Sequence, residues 1–264
     1  MKSKKTLLAA VGGFALLTGS AQAALIASFD FDTASGWLAD GSAETRNSAD
    51  NSTIDCGPGA LPGANGCGLT FSGAQEVTDG YNTVDWFSNG GVGPSGLDIV
   101  SLSGTLITGG AWVDTGVITH RNFILPSPAT TLHTLDLMSE FSITSPLLLG
   151  PASDTFDISF VETPNQGGCP PPNPLGSSCD DAFTIDGLPE AIVFEIDGIT
   201  YTIEFRLFGG DGFIVADNTL YTREDEANTL FVQARVTARQ VPEPATLGIL
   251  GLGLLLLNRR KLMK

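Results

Sequence analysis

The sequence predicts an all-β domain, a two-sheet antiparallel β-sandwich of jelly-roll type, set between two end segments of different character. Three observations carry this expectation. Apolar residues alternate at period two with Thr, Ser, Asp and Glu in several stretches, as half-buried strands require. Turn-forming residues separate those stretches, the 264-residue chain holding 32 Gly and 15 Pro. No repeat with a period of roughly 20–50 residues points to a solenoid or propeller instead.

In chain order, residues 1–23 have the layout of a secretory signal peptide. Lys2, Lys4 and Lys5 form a charged start, Leu7 to Leu17 an apolar middle, and Ala21-Gln22-Ala23 a small-x-small cleavage site that leaves Ala24 as the new N-terminus. The expected partners at this end are the Sec translocon and signal peptidase. Residues 24–240 are long enough for one all-β domain with a sizeable core. Alternation is clear at Leu135, Leu137, Ser139, Phe141 and Ile143; at Phe156, Ile158 and Phe160; and at Ile192, Phe194 and Ile196. It recurs at Tyr201, Ile203, Phe205 and Leu207, and at Leu230, Val232, Ala234 and Val236. Further strands are expected over Leu25 to Phe31, Leu97 to Leu102 and Ala111 to His120, for about ten short strands in all. Asp197-Gly198 fits a tight hairpin, and Gly209-Gly210-Asp211-Gly212 a looser connection.

Charge narrows the function classes. Residues 24–240 contain no lysine and six arginines against 28 acids, the chain's 29 less Glu243, a net charge of −22. Such a surface repels phosphate backbones and anionic headgroups, which excludes nucleic acid and peripheral membrane binding. It is compatible with Ca²⁺, with neutral sugars, or with solubility alone. The four cysteines form two tight sequence pairs, Cys56 with Cys67 and Cys169 with Cys179, each bracketing a Gly/Pro-rich loop. In an exported chain the simplest of the three connectivities is two local disulfides. A zinc site lacks CxxC spacing and has only His120 and His133 to help.

The middle of the domain carries a motif. Asn82-Thr83-Val84-Asp85-Trp86, Pro94-Ser95-Gly96-Leu97-Asp98 and Gly116-Val117-Ile118-Thr119-His120-Arg121-Asn122-Phe123-Ile124 are followed by Glu162-Thr163-Pro164-Asn165 and Cys169. This resembles the pattern of the choice-of-anchor K domain, with Thr119, His120 and Asn122 as its Thr-His-x-Asn core. Phe87 departs from it, standing where a glycine is usual, and Leu125 separates Ile124 from Pro126. The resemblance implies surface residence and a β-rich domain. From the residues alone, Thr119, His120 and Asn122 lie at a strand end, where Asn and His side chains hold a corner by bonding to turn backbone. The functional alternative places His120 with Asn122 and a carboxylate, Asp114 or Glu162, against a sugar or an ion. Alternation puts His120 and Asn122 on one face and Arg121 on the other.

Catalytic signatures are absent: no HExxH, no GxSxG elbow, no P-loop, no GxGxxG before a helix. No catalytic residue, resident metal or cofactor is therefore assigned, and the chain is expected not to be an enzyme. Calcium is the one ion the composition accommodates, with Asp154 and Asp157, Asp180 and Asp181, and Glu224-Asp225-Glu226 as oxygen clusters, although no DxDxDG loop is present. Of Trp37, Trp86 and Trp112, the first lies among glycines and is expected to be the most exposed.

The last stretch, residues 241–264, joins Val241 and the triplet Pro242-Glu243-Pro244 to an apolar run over residues 245–257 and a cationic end, Arg259, Arg260, Lys261 and Lys264. As a helix the run reaches roughly 20 Å, short of the roughly 30 Å hydrocarbon core. The basic end resists translocation, so residues before Pro242 are expected outside. The two prolines keep Glu243 extended and open to a processing enzyme. The segment resembles the PEP-CTERM sorting signal, which implies handling by an exosortase in bacteria that make extracellular polysaccharide. The expected protein is exported and surface- or matrix-resident, with a structural or adhesive domain and contact with the membrane only through its sorting tail. The alternative is a carbohydrate-binding module or glycan hydrolase acting on extracellular polysaccharide.

Overall fold

A computed structural model describes residues 24–240 except 40–42, 48, 57–66, 88–92, 126–128, 164–168, 170–171, 188–189 and 217. The signal peptide with Ala21 and Ala23, the sorting residues Val241, Pro242, Glu243, Pro244, Arg259, Arg260 and Lys261, and the expected C-terminal helix lie outside the described residues.

The described residues form seventeen strands and no helix. These are β1 (Ser28–Leu38), β2 (Glu44–Asn47), β3 (Thr53–Asp55), β4 (Leu69–Ser72), β5 (Gly80–Tyr81), β6 (Thr83–Trp86), β7 (Ser95–Ser101), β8 (Ser103–Ile107) and β9 (Val113–Asn122). They continue with β10 (Thr130–Ser145), β11 (Leu149–Val161), β12 (Asp181–Asp186), β13 (Ile192–Ile196), β14 (Ile199–Gly209), β15 (Phe213–Ala216), β16 (Thr219–Thr222) and β17 (Glu226–Gln240). Two antiparallel sheets result, one of them curled as a half-barrel. The first runs β15-β16-β12-β11-β10-β1-β5, with β2 on β10, β3 on β2 and β8 on β1. The second runs β13-β14-β17-β9-β7-β6-β4.

The long strands follow the alternation. On β10 the inward residues Leu135, Leu137, Phe141 and Ile143 are buried, and on β11 Phe156, Ile158 and Phe160. On β13 Ile192, Phe194 and Ile196 are only half-buried, because β13 is an edge strand with a single neighbour. The β13–β14 hairpin turns at Asp197 and Gly198, both with positive φ (49° and 75°), the backbone that a two-residue turn demands of Asp/Asn-Gly. The expected disulfides join Cys56 to Cys67 and Cys169 to Cys179. The first links the chain after β3 to the chain before β4, and so ties an edge of one sheet to an edge of the other.

Two apolar clusters fill the space between the sheets. One gathers around Trp37, Trp86, Leu135, Phe160 and Leu230, the other around Phe29, Tyr201, Ile203 and Val236. Between them lies a cavity of about 550 Å³, whose wall takes Phe141 and Leu137 from β10, Phe205 and Leu207 from β14, and the hydroxyls of Ser35 and Ser139. That space explains why Phe205 and Leu207 are half-buried rather than closed into the core.

Trp37 corrects an expectation. It is wholly buried on β1, opposite Leu137 of β10 and Tyr81 of β5. The glycines around it mark a close strand approach and not a loop: a Cβ on Gly36 would lie 2.7 Å from the Gly80 carbonyl carbon. A local glycine cluster reads the same in either setting.

Candidate functional site

The motif residues, scattered over some eighty positions of sequence, meet where β6, β7, β9 and β17 of one sheet end against β11, β12 and β16 of the other. Alternation along β9 divides them. Thr119 and Arg121 face outward, whereas His120 and Asn122 face inward and are fully buried.

The outer face is an ion-pair clamp. Arg121 donates to Asp98 of β7 at 2.7 Å, to Asp85 of β6, and to the Pro94 carbonyl at 3.2 Å. Its guanidinium lies over Gly96, where a Cβ would meet the Val84 carbonyl oxygen at 2.7 Å and crowd both Arg121 and Asp85. Gly96 is therefore required by the clamp. Beside it the Ser95 hydroxyl accepts from the Phe123 amide at 3.1 Å. Phe87 has φ 46°, the left-handed region where a glycine is unstrained.

On the inner face His120 stacks on Trp86, with ring centroids 5.7 Å apart, and meets Phe183 edge-on at 4.8 Å. Its Nδ1 lies 3.0 Å from the Thr222 hydroxyl, and its Nε2 has no partner. Burial, then the nearby Arg121 charge, hold the imidazole pKa down to about 3, so the ring is neutral at neutral pH. The unfolded chain takes up a proton below the ordinary 6.5, and the folded one only near 3. His120 therefore contributes stability that is present above 6.5 and lost as pH falls toward 3. The stability gap between the native chain and H120Q should narrow by about 2 kcal/mol between pH 7 and pH 5. Urea titrations at the two pH values measure it, and a constant gap would show that the folded imidazole titrates normally.

Asn122 and Asn228 hold the β16–β17 turn. Asn122 Nδ2 donates to the Arg223 carbonyl at 3.0 Å. Asn228 Oδ1 accepts from the Arg223 amide and Asn228 Nδ2 donates to the Arg223 carbonyl, each at 2.9 Å. Across from them Thr163, just past β11, donates through its amide to Asp181 Oδ1 at 2.8 Å, and through its hydroxyl to the Cys179 carbonyl at 3.0 Å. Of the Thr-His-x-Asn residues, Asn122 bonds to turn backbone, His120 bonds to the Thr222 hydroxyl, and Thr119 lies on the other face.

Three carboxylates converge in this corner. Glu162 follows β11, Asp181 begins β12 and Glu224 lies in the β16–β17 turn, with one oxygen from each within 4.8 Å of the others. Asp181 is fully buried and Glu224 nearly so. Burial pushes the Glu162 carboxyl well above its ordinary range, and the Asp181 and Glu224 charges push it further, while the Trp86 indole N–H opposes. That indole is near Glu162 without a hydrogen bond of good geometry. Asp181 is raised by burial and by Glu224, and the bonds from Thr163 and the neighbouring Asn122 amide act against the rise. Both oxygens of Glu162, Oδ2 of Asp181 and Oδ1 of Asn122 have no hydrogen-bond partner.

Of the two carboxylates suggested beside His120 and Asn122, the structure brings in Glu162. Asp114 is engaged elsewhere, accepting from Gln233 at 2.7 Å. Two of the three expected acidic clusters divide. Asp180 caps the disulfide loop through the Leu175 amide and the Ser177 amide and hydroxyl, while its neighbour Asp181 enters the corner. Glu226 pairs with Arg223, while Glu224 turns in. Asp154 and Asp157 sit on exposed positions of β11, apart from the corner. Glu162, Asp181 and Glu224 have no common sequence spacing, and only the sheet registers make them a group. Trp112 lies between the guanidinium groups of Arg206 and Arg235, each 4.5 Å from its ring.

Among the described residues no helix is long and apolar enough to cross a membrane. No curated protein matches the chain. Residues 240–261 match the PEP-CTERM protein-sorting motif, the mark of an exported protein processed by an exosortase.

Proposed function

We propose that this chain is a bacterial surface or extracellular-matrix protein whose β-domain is a structural or adhesive body and not a catalyst. The observation that carries the reading is the sorting motif at residues 240–261, attached to a strand-built domain. Several features support a structural role. The motif residues are engaged in holding strand ends together, and of the convergent acids Asp181 and Glu224 are buried. We read the winding as jelly-roll type, because the chain passes between the sheets repeatedly: β8 to β9, β9 to β10, β12 to β13 and β16 to β17. We also assign the body to the choice-of-anchor K type, with Trp86, His120, Asn122 and Glu162 as its shared corner and Gly96 under the clamp on the outer face.

The processing half is tested by intact-mass analysis of the product recovered from exosortase-bearing cells. The expected product starts at Ala24 and lacks Lys264, and replacing Pro242-Glu243-Pro244 by three alanines should leave the tail in place on nearly all molecules. A cytosolic product with Met1, Lys264 and four free thiols would overturn the reading. A second reading, glycan binding, draws on the cavity of about 550 Å³ with its aromatic and hydroxyl lining. Against it, Trp37 and Trp86 are buried and cannot stack on sugar rings. Glycan-array binding together with release of reducing ends separates the three outcomes: none for a structural body, binding alone for a module, turnover for a hydrolase.

A further inference from the structure

We propose that Glu162, Asp181 and Glu224, with the amide oxygen of Asn122, form a calcium site that clamps the two sheets at this end of the domain. The inference stands whether or not the surface reading does, since it rests on the corner alone. Three carboxylates in one corner, Asp181 and Glu224 buried and Glu162 half-buried, carry up to three negative charges where water is scarce, and a charge closed off from water costs several kcal/mol unless compensated. The ion pairs of the neighbourhood lie elsewhere: Arg121 is committed outward to Asp85 and Asp98, and Arg223 to Glu226. For Glu162 and Asp181 a cation can supply the compensation, with Glu224 as a third oxygen donor.

The geometry favours a cation. Both oxygens of Glu162 and Oδ2 of Asp181 point into the corner's centre of negative charge without a hydrogen-bond donor. Asn122 provides an independent observation. It is fully buried, its Nδ2 is fixed on the Arg223 carbonyl, it lies beside the Asp181 carboxylate, and its Oδ1 receives no donor. A buried carbonyl oxygen without a donor, next to carboxylate oxygens in the same condition, is a set of acceptors awaiting a positive centre.

The type of cation follows from the ligands. All four are hard oxygens, which select Ca²⁺ or Mg²⁺ over zinc or copper. Calcium holds its ligands at about 2.3–2.6 Å, so oxygens on opposite sides of the ion stand about 4.6–5.2 Å apart, whereas magnesium needs about 4.0–4.2 Å and near-ideal octahedral geometry. The trio's oxygens lie within 4.8 Å of one another, close enough to share one ion, and a set made wholly of protein oxygens suits calcium, since magnesium keeps several of its waters. The ligands come from five strand ends: Asn122 closes β9, Glu162 follows β11, Asp181 opens β12 and Glu224 joins β16 to β17. One ion would thus join both sheets and pin the disulfide loop between β11 and β12. The expected affinity is that of extracellular modules, roughly 10⁻⁴–10⁻³ M.

The test uses the purified full-length chain. In chelator, the native chain, E162Q and D181N are melted, and each is then titrated with calcium chloride. At a concentration near a hundred times Kd, calcium should raise the native Tm by roughly 5–10 °C. In both variants the rise should fall below about 2 °C. In chelator the variants should melt no lower than the native chain, since each loses a buried like charge, and this shows that they fold. Terbium offers a second readout on the native chain alone. Excitation of the Trp86 indole beside Glu162 should sensitise terbium emission, and calcium should quench it by displacement. A native Tm insensitive to calcium up to 10 mM, taken as roughly ten times the upper Kd, with no sensitised emission, would overturn the site. So would a calcium shift that persists undiminished in E162Q and D181N, because the ion would then bind elsewhere.

Discussion

Replacing Trp86 with alanine should lower the unfolding free energy by roughly 3–5 kcal/mol, the range for deleting a large buried aromatic. Trp86 is about 1% exposed. It stacks on His120, meets Phe160 at 5.3 Å and lies beside Glu162, so it joins the larger core cluster to the carboxylate corner. A Trp37→Ala variant should lose a similar amount, because Trp37 is equally buried. The two losses should differ in kind. With Trp86 gone, water reaches His120, and the dependence of stability on pH between 5 and 7 should flatten, whereas the Trp37 variant should keep it. Denaturant titrations of both variants at pH 5 and pH 7 measure both effects. A loss below about 1 kcal/mol for Trp86→Ala would mean that the corner is not part of the cooperative core.

Removing the Cys169–Cys179 bridge by the double substitution C169S/C179S should cost about 3 kcal/mol in the chain-entropy account of a closed loop this long. Cys179 is buried and stands two residues before Asp181, and its carbonyl accepts from the Thr163 hydroxyl. The loss should therefore reach the corner. Amide exchange at Thr163 and Asp181 should quicken by more than at residues on β13, which among the described residues shares no bond with the loop. The loop retains its own bonds from Asp180 to Leu175 and Ser177, so a partly ordered turn should survive. A midpoint unchanged in denaturant would show that the bridge does not constrain the native chain.

Much of the fold was legible in the residues. Period-two burial marked β10, β11, β14 and β17 because each has one face on the core and one in solvent, and the Asp197-Gly198 turn was legible because few residues adopt positive φ. The short strands were not. β2, β3, β5, β15 and β16 hold two to four residues each, too few for a period to emerge. Trp37 misled because glycine serves both loops and close strand approaches. That His120 and Asn122 share one face of β9 while Arg121 takes the other was legible, since alternation on one strand is a local property.

The sequence by itself determined the export address, the acidic charge, the strand period and the two local cysteine pairs, all of which are set by neighbours along the chain. Only the tertiary structure decided that Glu162, Asp181 and Glu224 share one buried corner while Asp114, Asp154 and Asp180 do not. Membership of that corner depends on the registers of β11 with β12 and of β12 with β16, and on how the two sheets face each other. These contacts join residues up to about a hundred positions apart, as His120 meets Thr222, and no spacing in the sequence encodes them. Burial then does the rest: a carboxylate in water is ordinary, and the same group closed between two sheets demands a counter-charge.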